Sequence, residues 1–456
     1  MTRELTYLHA FSATVPTILA LIVASQMGLQ LQMPFIFGIL LTCLIGVRLG
    51  YSWNELEAAA LKGMGQCSFA LLILFLVGAT IGIWIASGII PTFMFYGLHW
   101  LSPKLFLAES CFLTFLMALV TGSNAAAFGT IGVALLSVGI ALGIPMPLVA
   151  GAITSGGTAG HLISPLSDLS ALAISTNGGN LSTLVKLFVR RSIPVLFTCE
   201  VIYILYGVFL FDSASLPNVD YLFIGLKELF VISPWLLLPV ASLFLLIIFR
   251  VPIVLALGIN LLLSSSIAIF VQGLSFSAVI KVMNLGYTTH STPLAQILTR
   301  GGVIAFGNVV ELVLLASAWA ATMQYIGVMQ LLLKKMMQIK ILKGKVTATG
   351  TLLSIIITVM TCAVIPAILV PSAFLKEKYI AAGLQSEHLS RDLTEASLAA
   401  AALVPWSNLN FIVLATLGIG AFQTTPYNLF SWLILILAFT IGIRNKHKIQ
   451  KNGGQR

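Results

Sequence analysis

Asp168 is the residue of this chain best placed to do chemistry. It ends the run Ser164-Pro165-Leu166-Ser167-Asp168, which interrupts a long apolar stretch. An ionisable side chain is expensive to keep in such a stretch and by default marks an ion or proton site. The simpler duty to weigh against this is capping the helix that starts near Leu169. The pattern Pro165-Leu166-Ser167-Asp168-Leu169 returns 240 residues later as Pro405-Trp406-Ser407-Asn408-Leu409. The same offset pairs Thr121 with Thr361 and Gly143 with Gly383. A proline inside a helix removes one hydrogen bond and strains another, so both prolines predict broken helices. A break exposes carbonyl groups, which suit Na⁺, and the positive N-terminal end of a half-helix, which suits anions. One such proline would read as a plain kink. Two at matched positions in two halves of an apolar chain point to a transport site.

A second polar break stands at Thr121-Gly122-Ser123-Asn124, amid Ala125, Ala126, Ala127 and Gly129. Small residues there allow the backbone to approach a ligand or a neighbouring helix. Its counterpart, Thr361-Cys362-Ala363-Val364, is much less polar. Asp168 is the expected cation and proton ligand. Ser123, Asn124, Ser164, Ser167, Ser407 and Asn408 are expected to supply neutral oxygens or helix-end donors, and Asp168, Asn124 and Ser167 form the candidate Na⁺ set. His161, one turn before Pro165, serves equally as a proton relay or as a satisfied core histidine. Glu395 stands near Arg391 and Asp392, so a binding role and an interfacial one compete. Glu200 and Glu311 fall inside apolar segments and read as helix–helix hydrogen-bonding groups. His290, Gln296 and Arg300 are given no role. The five cysteines lie far apart in apolar segments, without metal-ligand spacing.

These residues must be held by membrane helices. The chain is 59% hydrophobic and 8% charged, far below the roughly 25% charge of a soluble domain. Long apolar runs recur through it, so the fold class is an all-α polytopic membrane protein. Each half divides alike. Three spans come first, at 8–26, 30–48 and 67–88, then at 233–249, 252–272 and 303–327. An interrupted stretch follows, 105–142 or 346–375, the second broken between Thr361 and Pro366. The segment with the repeated motif comes next, then a last span at 192–211 or 427–443. If the interrupted stretches are re-entrant hairpins, each half crosses five times and the halves are inverted. If they cross fully, the count is fourteen. On the hairpin reading, basic residues concentrate in the cytoplasm, and only Lys104, Lys227, Lys281 and Arg300 lie outside. The expected organisation is a first repeat at 1–212, an external linker at 213–232, an inverted second repeat at 233–443 and a basic cytoplasmic tail at 444–456, with both termini cytoplasmic. The N-terminal apolar stretch reads as an uncleaved first span.

The net charge of +10 reads as basic cytoplasmic loops rather than a nucleic-acid surface. No G-x-x-x-x-G-K-[ST] phosphate loop is present, and no nucleophile–base grouping stands out. The chain is therefore expected to be no enzyme, to need no cofactor and to work by secondary transport.

The stretch from Thr121-Gly122-Ser123-Asn124 to Gly129-Thr130-Ile131-Gly132 resembles the T-G-T-S-W-G-T-x-G-T-I-G signature of the NhaC family of Na⁺/H⁺ antiporters. Ala150-Gly151-Ala152 through Gly160, with Ser164-Pro165-Leu166-Ser167-Asp168, is similar to that family's block ending in S-P-L-S-D. Arg300-Gly301-Gly302, Leu389-Ser390-Arg391 and Pro405-Trp406 match shorter elements in the right order along nearly the whole chain. The resemblance implies exchange of Na⁺ or an organic solute against protons, in a bacterial inner membrane, by a pseudo-symmetric homodimer embedded in the lipid bilayer. Two positions depart from the pattern. His161 replaces the aspartate of the first block, and Cys362–Ala363 replaces an acidic residue in the second break. Fewer carboxylates shift weight towards an organic substrate, but the leading expectation is a secondary active antiporter exchanging Na⁺ for H⁺ by alternating access, with a Na⁺- or H⁺-coupled carrier of a carboxylate or amino acid as the alternative.

Overall fold

The computed structural model describes residues 5–100, 102–210, 220–249, 251–289, 292–331 and 345–444. His290, the basic residues Arg3, Arg250, Lys334, Lys335, Lys340 and Lys343 that the charge argument counts as cytoplasmic, and the tail beyond Arg444 lie outside this set. The described secondary structure is helical apart from one isolated bridge between Tyr287 and Arg300. That is what an apolar solvent dictates, since a helix satisfies its own backbone groups. Six described helices are long and apolar enough to cross a membrane, and counting each bent pair as one span raises the number to ten. Their outward faces stay apolar, with Phe209, Leu262 and Phe270 exposed, as a lipid-facing surface requires.

The centre is built from helices that stop and restart. The boundaries of Phe106–Thr121, Asn124–Ala141, Met146–Ile163 and Asp168–Asn177 recur 240 residues later in Val346–Thr361, Val364–Ala381, Ser386–Leu403 and Asn408–Leu417. Both long members, Met146–Ile163 and Ser386–Leu403, are buried over most of their length. Glycine permits this in the first. A Cβ on Gly156 would meet the backbone of Cys111, and one on Gly160 that of Phe115, so Phe106–Thr121 packs directly on a bare backbone stripe. Ser386–Leu403 and Asn408–Leu417 meet at a 47° bend. Leu181–Leu210 and Leu429–Arg444 pack against both long members.

Two features differ from the sequence reading. Trp53–Gln66 is a helix that a search for apolar runs passes over, because it is amphipathic. Its start carries a signal, since Ser52 and Glu55 form a reciprocal capping box. The stretch read as a linker contains the helix Asp220–Leu229, whose Leu222 and Leu226 are buried. The second break lies at Cys362–Ala363, within the expected stretch, and Pro366 sits inside the first turn of Val364–Ala381. A first-turn N–H has no helical partner, so the proline breaks nothing there.

Candidate functional site

The two proline breaks share one construction. Ser167 and Ser407 each cap the following half-helix, accepting from the N–H of Ser170 at 3.4 Å and of Asn410 at 3.1 Å. Asp168 and Asn408 then occupy the first helical position. The serine of the repeated motif is thus a cap, and the Asp/Asn is what the new helix end presents. The other two breaks also match. Gly122 and Cys362 end their helices in the left-handed region, with φ of +64° and +60°. Thr121 and Thr361 donate from Oγ1 to the carbonyls of Ser123 and Ala363, each at 3.2 Å. The breaks are tied in pairs. Ser164 Oγ donates to the Leu119 carbonyl at 2.7 Å. In the other half the Asn408 N–H donates to the Cys362 carbonyl at 2.8 Å, and Trp406 Nε1 to that of Val359 at 2.9 Å.

This construction brings four helix N-termini to one place. Asn124, Asp168, Val364 and Asn408, each the first residue of its helix, line one cavity of about 370 Å³. Thr121, Ser123 and His161 join them, with Phe69, Ile73, Leu166, Ile253 and Ile412 as apolar walls. Among the described residues Asp168 is the one carboxylate on the lining, and its side chain is 78% exposed, so a ligand in the cavity reaches it. His161 Nε2 lies 3.1 Å from Asp168 Oδ1, which also accepts the Leu169 N–H at 2.9 Å. Asp168 is therefore not the cap that the sequence reading weighed: Ser167 holds that duty, and the Asp168 carboxylate is left facing the cavity.

Several polar atoms around the cavity are buried without a hydrogen-bond partner: both amide atoms of Asn124, Oδ1 of Asn408 and Nδ1 of His161. Leaving such groups unpaired costs about 1–3 kcal/mol each, so their presence at the cavity calls for something that pairs them. Asp168 with the two amide oxygens offers a hard-oxygen set of the kind that takes Na⁺. Ser167 does not line the cavity; its hydroxyl is held as a cap. No cluster of three His, Cys, Asp or Glu side chains suited to a metal occurs among the described residues.

The remaining sequence-derived candidates lie elsewhere. Ser164, Ser167, Ser407 and Thr361 are buried in the frame behind the cavity and do not line it. Glu395 belongs to a buried ionic cluster: Arg191 Nη1 approaches Asp392 Oδ1 at 3.1 Å and Glu395 Oε1 at 3.5 Å. Arg391 and the Tyr379 hydroxyl complete it on Asp392, at 2.7 and 3.0 Å. Leu398, three residues on from Glu395, does line the cavity, so the cluster sits about one turn behind it. Ala363, Val364 and Ile365 also line the cavity; the sequence reading named the first two as part of the second break but gave none of the three a binding role, because their side chains are apolar.

The sequence profile of the Na⁺/H⁺ antiporter family matches residues 3–209 and 184–445. The chain is 28% identical to the malate-2H⁺/Na⁺-lactate antiporter of Bacillus subtilis, over 92% of this chain and 90% of that protein. It is 27% identical to the Na⁺/H⁺ antiporter NhaC of the same organism, over 91% and 92%. It is 28% identical to the arginine/ornithine antiporter ArcD of Halobacterium salinarum, over 91% and 87%. A profile that spans nearly the whole chain, both sets of broken helices included, settles its kinship: the chain belongs to the Na⁺/H⁺ antiporter family.

Proposed function

We propose that this protein is a secondary active antiporter that exchanges Na⁺ for H⁺ by alternating access at the Asp168 cavity. The observation that carries the reading is the sharing of one carboxylate. His161 Nε2 stands 3.1 Å from Asp168 Oδ1 in a cavity where no second acid lies among the described residues. A proton on the imidazole and Na⁺ on the carboxylate satisfy the same negative charge, so binding one displaces the other. The orphaned oxygens of Asn124 and Asn408 complete the cation's shell. The halves move as inverted repeats, with both termini in the cytoplasm, in a homodimer of the bacterial plasma membrane. The matched helix boundaries support a repeat, and the loop charges support its inversion.

Asp168→Ala tests this in proteoliposomes. Na⁺-driven proton flux is expected to vanish while the melting temperature of the purified protein stays near that of the wild type. Undiminished flux would reject the assignment.

A second reading is favoured by the four helix N-termini. Together they present more positive potential than one carboxylate neutralises, and an organic carboxylate fits that surplus. Two relatives are named for organic substrates, malate and lactate in one case and arginine and ornithine in the other. Counterflow of labelled malate, lactate, arginine and ornithine, with and without a Na⁺ gradient, separates the readings. Robust Na⁺/H⁺ exchange without uptake of any of them leaves the first alone standing.

A further inference from the structure

A second cavity, of about 470 Å³, lies between Leu181–Leu210, Ser386–Leu403 and Leu429–Arg444. It is lined by Arg190, Arg191, Arg391 and His388, with Leu187 and Leu437 among its apolar walls. Among the described residues no carboxylate lines it. The acids of the ionic cluster stand behind it and hold two of the arginines in position. Asp392 takes Nε and Nη2 of Arg391 at 3.0 and 2.7 Å, and Arg191 spends Nη1 on Asp392 and Glu395. A guanidinium has five N–H donors, so each arginine has donors that the acids do not take. Two arginines against two carboxylates balance, which leaves Arg190 as surplus charge. Arg190 is exposed and makes no ion pair among the described residues. His388 Nδ1 is buried without a partner.

We propose that this cavity binds a phosphate group carrying a single negative charge, held by Arg190, Arg191 and Arg391 with His388 beside them. Planar guanidinium groups converging on one space are the usual protein counterpart of a phosphate. The walls suit a phosphodiester at the head of a lipid. Ile193 and Phe197, three and seven residues on from Arg190 along the same helix face, are exposed and apolar, as is Ile436 on the neighbouring helix. Acyl chains leaving the cavity would run over them. A bound phosphate would tie Leu181–Leu210 to Ser386–Leu403, the helix whose far end reaches the transport cavity through Leu398.

The test uses the purified full-length chain in uncharged detergent, with potassium salts throughout. Phosphatidylglycerol is expected to raise the melting temperature where phosphatidylcholine does not. Arg190→Gln is expected to weaken phosphatidylglycerol binding about fivefold, the contribution of one basic side chain near an anionic headgroup. Lys186→Gln, on the same helix but outside the cavity, is expected to leave binding unchanged. Arg190→Lys should restore most of it. Potassium phosphate titrated without lipid distinguishes the sources. Stabilisation by phosphate alone that is lost in Arg190→Gln assigns the cavity to the free anion, and stabilisation by the anionic lipid alone assigns it to the headgroup. If Arg190→Gln and wild type respond alike to both ligands, or Lys186→Gln loses as much as Arg190→Gln, the proposal is wrong.

Discussion

His161 and Asp168 are seven residues apart, on opposite sides of the 164–167 break, yet their side chains meet at 3.1 Å. In a continuous helix that spacing is about 10 Å along the axis. The break turns a remote pair into a contact and leaves it facing the cavity. The contact puts a ring that can carry a proton against the one acid of the described lining. In His161→Gln that proton carrier is gone. Na⁺-driven proton flux in proteoliposomes is then expected to fall at least tenfold while the melting temperature stays near that of the wild type. Undiminished flux would remove His161 from the exchange.

Asn124 is 3% exposed, and neither amide atom has a partner. A buried group that helps only the fold would be paired. Asn124→Leu is expected to leave stability unchanged or raise it by about 1 kcal/mol, while ion-driven flux falls at least tenfold. A loss of stability with flux preserved would show that the amide serves packing.

Cys362 is the non-glycine residue with positive φ among the described residues. The left-handed region costs an ordinary residue about 1–2 kcal/mol, and the first half avoids the cost with Gly122. Cys362→Gly is expected to stabilise the protein by about 1 kcal/mol, seen as a raised melting temperature. A lowered one would mean that packing of the buried thiol outweighs the strain.

The buried cluster around Asp392 depends on its arginines. Removing one partner of a buried ion pair costs about 3–5 kcal/mol, because the other charge is left uncompensated. Arg191→Ala is therefore expected to reduce folded yield sharply. Glu395→Gln, which removes a charge while keeping the shape, is expected to be milder. Equal tolerance of the two changes would show that water reaches the cluster.

The frame of this protein was largely legible in its sequence, because prolines, capping serines and apolar runs act locally. Pro165 and Pro405 announced the breaks, and the serines after them turned out to be caps. The site was legible in part. Asp168, Asn124, Ser123, Thr121, His161 and Asn408 could be picked out as polar groups in apolar surroundings, and all line the cavity. Ser164, Ser167, Ser407 and Thr361 look the same in one dimension, but their hydroxyls are spent on neighbouring backbone. Only three-dimensional bookkeeping of hydrogen bonds separates the two groups. The Val364 helix end was legible as a break but not as cavity lining, because Ala363 and Val364 bring no polar side chain to it.

Eight helix boundaries between 106 and 177 recur between 346 and 417 with one constant offset. The two segments are equal in length helix for helix and break for break, although acids, glycines and amides differ between them. Chain length, rather than chemistry, is what they share. A tag or an extra loop residue placed at Gly143 or Gly383 would shift two half-helices against their partners, even though both glycines lie in turns that look tolerant.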